Sequence, residues 1–329
     1  EIKLTVNIVE KKRTGHNVIG YIDNGAPKTV ILGAHFDHLG YGEDGNTLGK
    51  SGEHVVYNGA DDNASGTAAV IELGRLLKNS KLKQSNYLLI AFSGEELGLF
   101  GSKYFVEHPT ISLDAVNYMI NMDMVGRFND SSKVLTIGGY GTSPEWSFIT
   151  GTSSKKSPFV FKIDSSGAGP SDHTSFYNKG IPVLFIFTGI HSDYHKPTDD
   201  FDKINYAGEV KVVDFVYSIV EKESKDDHKL AFTKTRETQT GSSRSFSVTL
   251  GIMPDYSFSG AGVRVDGVSD GRPAQKAGLQ TGDVIVKLGD YNISSLDKYM
   301  EALGKFKKGD ATTVGFVRQN ERKDLPIQF

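Results

Sequence analysis

The sequence of 329 residues contains no cysteine. Disulfide bonds, thiolate nucleophiles and cysteine-ligated metal sites are therefore excluded. Long apolar runs are also missing: the richest, residues 181–190, is short, contains Pro182 and is typical of a buried strand rather than a membrane span. No excess of positive charge is present, since the net charge is -3, and this gives no reason to expect nucleic acid as a partner.

The length of the chain and a change in its composition predict two domains. A chain of 329 residues is longer than one compact core usually holds. Residues 223–244 are rich in Lys, Glu, Asp, Ser and Thr and poor in large apolar side chains, as expected of a linker. We therefore predict a first domain over residues 1–222 and a second over residues 245–329.

The first domain alternates strand-like and helix-like segments, which indicates a mostly parallel, mixed sheet covered by helices on both faces. The fold class predicted is α/β, with three α/β/α layers. The strands are short apolar runs suited to burial on both faces, and the helices have apolar residues at helical spacing. The strands are predicted at residues 28–34, 87–92, 116–120 and 182–187, and the helices at residues 64–77, 97–106 and 206–220.

The second domain has a different pattern. From Ser245 onward, short strands are separated by Gly-rich turns, with one helix predicted near residues 296–306. We predict a small, mainly β domain that is large enough to fold independently.

Metal-capable side chains follow the predicted strands of the first domain in five clusters. In an open α/β sheet, ligand sites gather at the carboxyl ends of the strands, so these clusters should converge. The clusters are Ala34-His-Phe-Asp37, Gly59-Ala-Asp-Asp-Asn-Ala-Ser-Gly66, Ser93-Gly-Glu-Glu-Leu-Gly98, Asn121-Met-Asp-Met124 and Ser192-Asp-Tyr-His195.

Each cluster taken alone has an ordinary explanation, because paired acids are usually a solvated face and a single histidine often bonds a backbone carbonyl. The joint pattern is different. Carboxylates crowded at strand ends repel one another unless a cation neutralises them. A pair of divalent ions bound at the strand ends would explain the presence of all five clusters.

The order of these motifs, His-x-Asp, Asp-x-x-Ser-Gly, Gly-Glu-Glu-Leu-Gly, Asn-x-Asp-Met and Tyr-His, resembles the co-catalytic two-zinc aminopeptidases. That family is related to glutamate carboxypeptidase and the transferrin receptor, and the resemblance covers about residues 16–220. Carried over motif by motif, it implies that His35 and Asp123 bind one zinc ion and that Glu96 and His195 bind the other. Asp62 would bridge the two ions.

Asp61 is the alternative to Asp62, but only Asp62 has the family spacing to Ser65-Gly66. In the family, the peptide bond after the bridging aspartate is typically cis. The resemblance therefore implies a cis bond between Asp62 and Asn63.

The chemistry of these residue types agrees with two zinc ions per chain. Each ion would have three protein ligands including the shared carboxylate, which leaves room for a bridging water, and nitrogen and oxygen ligands suit zinc, with cobalt or manganese as substitutes. Asp37 is expected to accept the other ring N–H of His35 and so fix its tautomer. Glu95 is expected to be the general base, and Tyr194 to donate a hydrogen bond to the developing oxyanion.

The C-terminal pattern resembles a PDZ domain of the bacterial protease-associated type. The run from Gly271 to Val286, with its Ala277-Gly-Leu and Gly282-Asp-Val-Ile segments, carries the resemblance. Such domains add a peptide as an extra strand, so a peptide C-terminus is expected at the loop Thr249 to Ile252. An equally weighted alternative is that the domain only packs against the enzyme and stabilises it.

The function predicted is a dizinc aminopeptidase that releases N-terminal residues from peptides. The alternatives are a carboxypeptidase or dipeptidase on the same scaffold, and a non-catalytic peptide-binding receptor. Arg127 is the only arginine among the metal motifs, which disfavours recognition of a substrate carboxylate, and no ligand is missing, which disfavours a receptor. No chemical role follows from the sequence for Ser171-Asp-His173, and the histidines at 38, 54, 173 and 191 are predicted to be structural or supporting residues.

The location expected from the family is periplasmic or extracellular. The chain begins at Glu1 rather than methionine, so we expect that an upstream segment has been removed.

Overall fold

Among the described residues, the strands form two separate sheets that share no hydrophobic core. The structure is a computed structural model that describes residues 12–44, 47–48, 55–150, 157–225, 228–235, 248–254, 258, 260–268 and 271–329.

The first sheet has seven strands in the order β1-β3-β2-β4-β7-β5-β6 and is accompanied by four helices. Its strands are β1 (Val18–Ile22), β2 (Thr29–His35), β3 (Asn86–Phe92), β4 (Val116–Met122), β5 (Val134–Gly138), β6 (Val160–Ile163) and β7 (Val183–Phe187). Its helices are α1 (Gly66–Asn79), α2 (Phe100–Glu107), α3 (His173–Tyr177) and α4 (Tyr206–Glu223).

The centre of this sheet is parallel. Strands β3, β2, β4 and β7 run in the same direction side by side, whereas β1 pairs antiparallel with β3, and β5 pairs antiparallel with β7. The mostly parallel, mixed sheet predicted from the sequence is confirmed. The four central strands were predicted; β1, β5 and β6 were not, because they are short or partly exposed and lack long apolar runs.

Both faces of the sheet are buried, as the apolar runs predicted. All seven residues of β2 are buried, and alternate residues point into two different cores. Val30 and Leu32 belong to a core with residues of α1 and α4, whereas Ile31 belongs to a core with residues of α2 and α3. The arrangement is therefore three-layered.

The second sheet is entirely antiparallel among the residues described, with the order β13-β12-β10-β9-β8 and β11 paired to β10. Leu250, Val265, Ile285 and Phe316 lie in its core. Its elements are β8 (Ile252–Pro254), β9 (Val263–Val268), α5 (Pro273–Ala277), β10 (Val284–Leu288), β11 (Tyr291–Asn292), α6 (Leu296–Leu303), β12 (Ala311–Arg318) and β13 (Glu321–Gln328).

Residues 228–235, inside the segment whose composition predicts a linker, pack on the first domain. Leu230 is buried in that domain's core, and its N–H donates to Asn117 Oδ1 at 2.8 Å. The N–H of Thr235 donates to the hydroxyl of Tyr177 at 3.0 Å. A truncation meant to isolate the first domain should therefore end after Thr235. The remainder of the predicted linker, residues 236–244, lies outside the described residues.

Among the helices of the described residues, we find none that combines the length and the apolar character needed to cross a membrane.

Candidate metal and catalytic centre

Four neighbouring parallel strands bring the sequence motifs to one edge of the sheet. His35 is the last residue of β2, and Asp123 directly follows β4. Glu95 and Glu96 follow β3, and His195 lies in the segment after β7. Because these strands are adjacent and parallel, their carboxyl ends converge, as expected from the sequence.

Asp62 is the centre of the cluster, and its two oxygens face two different sets of side chains. Asp62 Oδ1 is 3.4 Å from His35 Nε2, which is 3.5 Å from Asp123 Oδ1. Asp62 Oδ2 is 3.3 Å from His195 Nε2, which is 3.2 Å from Glu96 Oε2. His35, Asp62 and Asp123 thus form one group whose ligand atoms all lie within 4.8 Å of one another, and His38, Asp62 and Glu96 form a second. His195 contacts both carboxylates of the second group, so the two groups share Asp62.

These distances match the edges of a zinc coordination shell. Bonds of about 2.0–2.1 Å at tetrahedral angles place neighbouring ligand atoms about 3.3 Å apart. The four histidine–carboxylate separations of 3.2 to 3.5 Å are close to this value. The donors are two imidazoles and three carboxylates, a set that suits zinc and leaves positions for water.

The electrostatics of the site call for positive charge. Burial lowers the pKa of His35, but the nearby carboxylates, Asp123 foremost, reverse this and raise it well above its usual value. Burial also lowers the pKa of His195, yet hydrogen bonds to Asp62 and Glu96 raise it to about 10. The carboxylates thus favour cationic partners at both positions, and divalent ions satisfy the same demand.

The main chain around Asp62 is held from several sides. The N–H groups of Asp61 and Asp62 both donate to Asp199 Oδ2, at 2.9 and 3.0 Å. The peptide bond between Asp62 and Asn63 is cis, which confirms the expectation from the family. Asn63 donates to the carbonyl of Met122 at 3.0 Å, which ties this segment to the end of β4.

Asp61 faces away from the ligand cluster. Its carboxylate accepts hydrogen bonds from Ser65 Oγ at 2.9 Å and from the Gly126 N–H at 2.7 Å. Its other oxygen is 3.1 Å from His191 Nε2. Asp61 therefore supports the fold beneath the site, and the geometry favours Asp62 as the bridging residue.

Asp37 orients His35 through a different atom from the one predicted. His35 Nδ1 is 3.0 Å from the main-chain carbonyl of Asp37 and 3.8 Å from its carboxylate. The carboxylate instead accepts the N–H groups of Glu95 and Glu96, at 3.1 and 3.4 Å. The main-chain carbonyl, rather than the predicted carboxylate, is therefore the nearer acceptor for His35 Nδ1, and the carboxylate holds the glutamate turn.

The adjacent residues Glu95 and Glu96 have different surroundings. Glu96 contacts both His195 and His38, with His38 Nδ1 2.7 Å from its Oε1. Glu95 lines the cavity beside the ligand groups, and burial raises the pKa of its carboxyl well above the usual value. This arrangement favours Glu96 as a ligand and leaves Glu95 available to exchange a proton.

Tyr194 is held beside the ligands by stacking. Its ring lies 3.9 Å from that of His195, centroid to centroid, with an angle of 18° between the planes. Tyr194 also lines the cavity. Its position is compatible with the predicted contact to a developing oxyanion.

Two residues support the predicted ligands: Ser171, to which the sequence assigned no role, and His38, which was predicted to be structural or supporting. Ser171 Oγ donates to Asp123 Oδ2 at 2.8 Å and itself accepts from Asn121 at 2.8 Å, so it fixes the orientation of a predicted ligand. His38 contacts Glu96 and, together with Asp62, forms part of a second possible metal-binding group. Both residues lie in or beside sequence motifs: Ser171 begins the motif Ser171-Asp-His173, and His38 follows His-x-Asp. Their positions in the sequence do not show which predicted ligand each residue contacts.

The other histidines set aside from the sequence have no place at the cavity surface among the described residues. His173 is buried and stacks on Phe185 with a centroid separation of 4.6 Å. His191 contacts Asp61, and His54 lies outside the described residues. Arg127 is paired with Asp193 at 2.9 Å and does not line the cavity.

The ligand groups open into a cavity of about 580 Å³. Phe185, Phe187 and Ile163 contribute apolar surface to its wall, and Lys162 contributes a cation. A cavity of this size has room for an amino-acid residue and part of the peptide that follows it.

The predicted peptide-binding loop lies at the start of β8. Gly251 has a φ of 75°, a conformation that favours glycine, and its N–H donates to Thr249 Oγ1 at 3.0 Å. Strand β8 is at one end of the strand order of the described sheet. An end strand with an unpaired side is the geometry that strand addition requires.

Two family models match the chain. Residues 17–220 match the model of peptidase family M28, and residues 233–329 match that of the PDZ domain.

Leupeptin-inactivating enzyme 1 of Streptomyces exfoliatus is 33% identical over 188 residues, covering 56% of this chain and 37% of that protein. Aminopeptidase YwaD of Bacillus subtilis is 28% identical over 213 residues, covering 60% of this chain and 43% of the relative. The chain thus spans less than half the length of these two relatives.

Solved structures agree with the fold. A zinc aminopeptidase from Bacillus subtilis, BSAP, aligns with a TM-score of 0.52 and 27% identity, covering 63% of this chain and 50% of its own. The LapA aminopeptidase of Legionella pneumophila aligns with a TM-score of 0.53 at 20% identity, covering 64% of this chain and 55% of its own, and supports the fold alone. With its first domain matched over most of its length, the chain belongs to peptidase family M28 and carries a PDZ domain at its C-terminal end.

Proposed function

We propose that this protein is a metal-dependent aminopeptidase that releases N-terminal amino acids from peptides and uses two zinc ions. The observation that carries the proposal is the position of Asp62, whose two oxygens each face a histidine and a further carboxylate. One carboxylate that faces two sets of metal-capable side chains suits a two-metal hydrolase.

His35 and Asp123 would hold one ion, Glu96 and His195 the other, and Asp62 both. Zinc held there would supply Lewis acidity, which lowers the pKa of water and polarises a carbonyl group. The similarity to zinc aminopeptidases supports the choice of metal, and the two ligand groups support the number of ions.

The remaining chemistry belongs to two side chains at the cavity. Glu95 accepts the proton of the attacking water and passes it to the leaving amine. Tyr194 donates a hydrogen bond to the oxygen that gains charge on the carbonyl. The Asp37 carboxylate accepts the N–H groups of Glu95 and Glu96 and so fixes the main chain that carries both side chains.

The alternative of a carboxypeptidase or dipeptidase depends on cations that could hold a substrate carboxylate. Arg127 does not provide one, because it is paired with Asp193 outside the cavity wall. Lys162 and Arg264 do line the cavity and are cations that can pair with a substrate carboxylate. The experiment below therefore also tests for carboxypeptidase activity. Asp164 lines the same cavity, and its carboxylate suits a substrate ammonium group, which favours the aminopeptidase.

The C-terminal domain is proposed to bind peptides, with a peptide C-terminus at the loop Thr249 to Ile252. Its position at the start of an end strand supports this role. The proposal also places the protein outside the cytoplasm, periplasmic or extracellular, which is supported by the family resemblance and is tested by fractionation of the producing cells.

The decisive experiment uses protein stripped with a chelator and reloaded with counted zinc. We expect aminoacyl p-nitroanilides to be hydrolysed with maximal rate at two zinc ions per chain, and N-acetylated peptides to be resistant. Cleavage of N-acetylated peptides from their carboxyl end would establish the carboxypeptidase instead. If the zinc-loaded protein cleaves neither the aminoacyl p-nitroanilides nor the N-acetylated peptides, the remaining alternative is a non-catalytic peptide-binding receptor.

A further inference from the structure

The wall of the catalytic cavity is built by both domains. Most of its residues come from the first domain, but Phe258 and Arg264 belong to the C-terminal domain. They line the same cavity as the ligands His35, Asp62 and Glu96. Substrate in the cavity therefore meets the PDZ domain directly.

Phe258 is held in place by its own domain. The guanidinium carbon of Arg264 lies 5.2 Å from the centre of the Phe258 ring, within the range of a cation–π contact. Arg264 is in turn fixed in β9, where it pairs with Val284 of β10. The ring also packs so closely on Gly260 that a Cβ at that position would collide with it. The aromatic surface is therefore an anchored part of the wall.

The side of the cavity that these residues occupy follows from the fold. The metal-capable side chains come from the strand ends of the first domain, whereas Phe258 and Arg264 come from the second domain, whose core is separate. The two sets therefore form different parts of the cavity wall. In an aminopeptidase the amino terminus of the substrate is bound beside the metal ions, so Phe258 and Arg264 would face the residues on the carboxyl side of the scissile bond.

Phe258 and the loop predicted to bind a carboxylate are close together in the sequence. Gly251 and Phe258 are seven residues apart, so their Cα atoms lie within about 25 Å of each other. A peptide whose carboxylate lies at the start of β8 and which pairs with that strand must run opposite to it. Its amino end then points toward Phe258 and the cavity.

We propose that a peptide substrate is bound by both domains at once. Its N-terminal residue lies in the metal cavity, the following residues cross Phe258 and Arg264, and its C-terminal segment adds to β8 with the free carboxylate at Thr249 to Ile252. A peptide of about eight residues is long enough for the full span. This inference rests on the proposed aminopeptidase activity and adds a preference for peptide length and for a free carboxyl terminus.

The test is a series of peptides of two to twelve residues with one N-terminal sequence, each made as free acid and as C-terminal amide. With the full-length, zinc-loaded protein, we expect kcat/KM of the acids to rise at least about tenfold once the length reaches about eight residues. The amides should not show the rise, because they lack the anchored charge.

Phe258→Ala gives a second measurement, with Tyr291→Ala as the matched control. Tyr291 is an exposed aromatic residue of the same domain that does not line the cavity. Truncating a buried aromatic contact typically costs about five- to thirtyfold in binding. We expect KM for the long acid peptides to rise by that factor in the first variant and to stay unchanged in the control.

Three results would overturn the inference: the same kcat/KM at all lengths, equal values for acids and amides, or a rise already complete at tripeptide acids. The last would mean that Lys162 or Arg264 binds the carboxylate inside the cavity. Failure of the proposed function is distinguishable, because the zinc-loaded protein would then leave aminoacyl p-nitroanilides intact as well.

Discussion

Replacing Glu95 by glutamine should stop turnover while both zinc ions stay bound. The amide keeps the size of the side chain but cannot accept a proton from water. The main-chain N–H of Glu95, which donates to the Asp37 carboxylate at 3.1 Å, is unaffected by the change. The variant therefore removes one chemical capacity from an otherwise intact site.

The size of the expected loss in kcat follows from the role of Glu95 as general base. Losing a general base typically lowers kcat about a hundred- to ten-thousandfold, which corresponds to about 2.7–5.4 kcal/mol of transition-state stabilisation. Zinc affinity should change little, because Glu96, not Glu95, contacts His195 and His38.

Glu96→Gln is the matched comparison, since it makes the same change one residue along. Outer contacts of a metal site are worth about ten- to a hundredfold in affinity, so loss of a direct ligand should cost at least that. Zinc counted by mass spectrometry after dialysis, together with kcat on an aminoacyl p-nitroanilide, separates the two variants. If Glu95→Gln loses zinc and Glu96→Gln keeps it, the roles of the two residues are reversed.

Three further changes test the assignment of the site. Asp62→Asn should lose at least one zinc ion, because a neutral amide bridges two cations poorly, whereas Asp61→Asn should keep both; the opposite outcome would place the bridge at Asp61. Ser171→Ala should weaken zinc binding about ten- to a hundredfold, since it frees the Asp123 carboxylate to rotate, and an unchanged zinc titration would show that this contact is not needed. A chain ending after Thr235 should keep its zinc and its kcat on aminoacyl p-nitroanilides within a few-fold, because the cores are separate; a folded, fully loaded but inactive product would show that the PDZ domain is required for the chemistry itself.

The main strands and the ligand motifs were predictable from the sequence. Strands buried on both faces must be continuously apolar, so β2 and β4 are visible as runs of apolar residues. Parallel strands place their carboxyl ends at one edge, so His35 and Asp123 could be expected to meet before any coordinates were known.

Other features depend on contacts between residues far apart in the chain. Asp199 positions the main chain of Asp62 across 137 residues, and Ser171 reaches Asp123 across 48. The backbone carbonyl of Asp37, rather than its carboxylate, meets His35 because of the local path of the chain after β2. Spacing along the sequence contains no information about which of several polar atoms comes within hydrogen-bond distance.

The sequence by itself determined the four central strands, the candidate metal ligands and the expectation of two domains, because burial and metal binding each require particular residue types at regular positions. The placement of Phe258 and Arg264 in the wall of the catalytic cavity was decided only by tertiary structure. An aromatic residue and an arginine in a β domain are compatible with many surroundings. Which surface they face depends on how the two domains pack, and that is set by the summed contacts of the whole chain rather than by any local pattern.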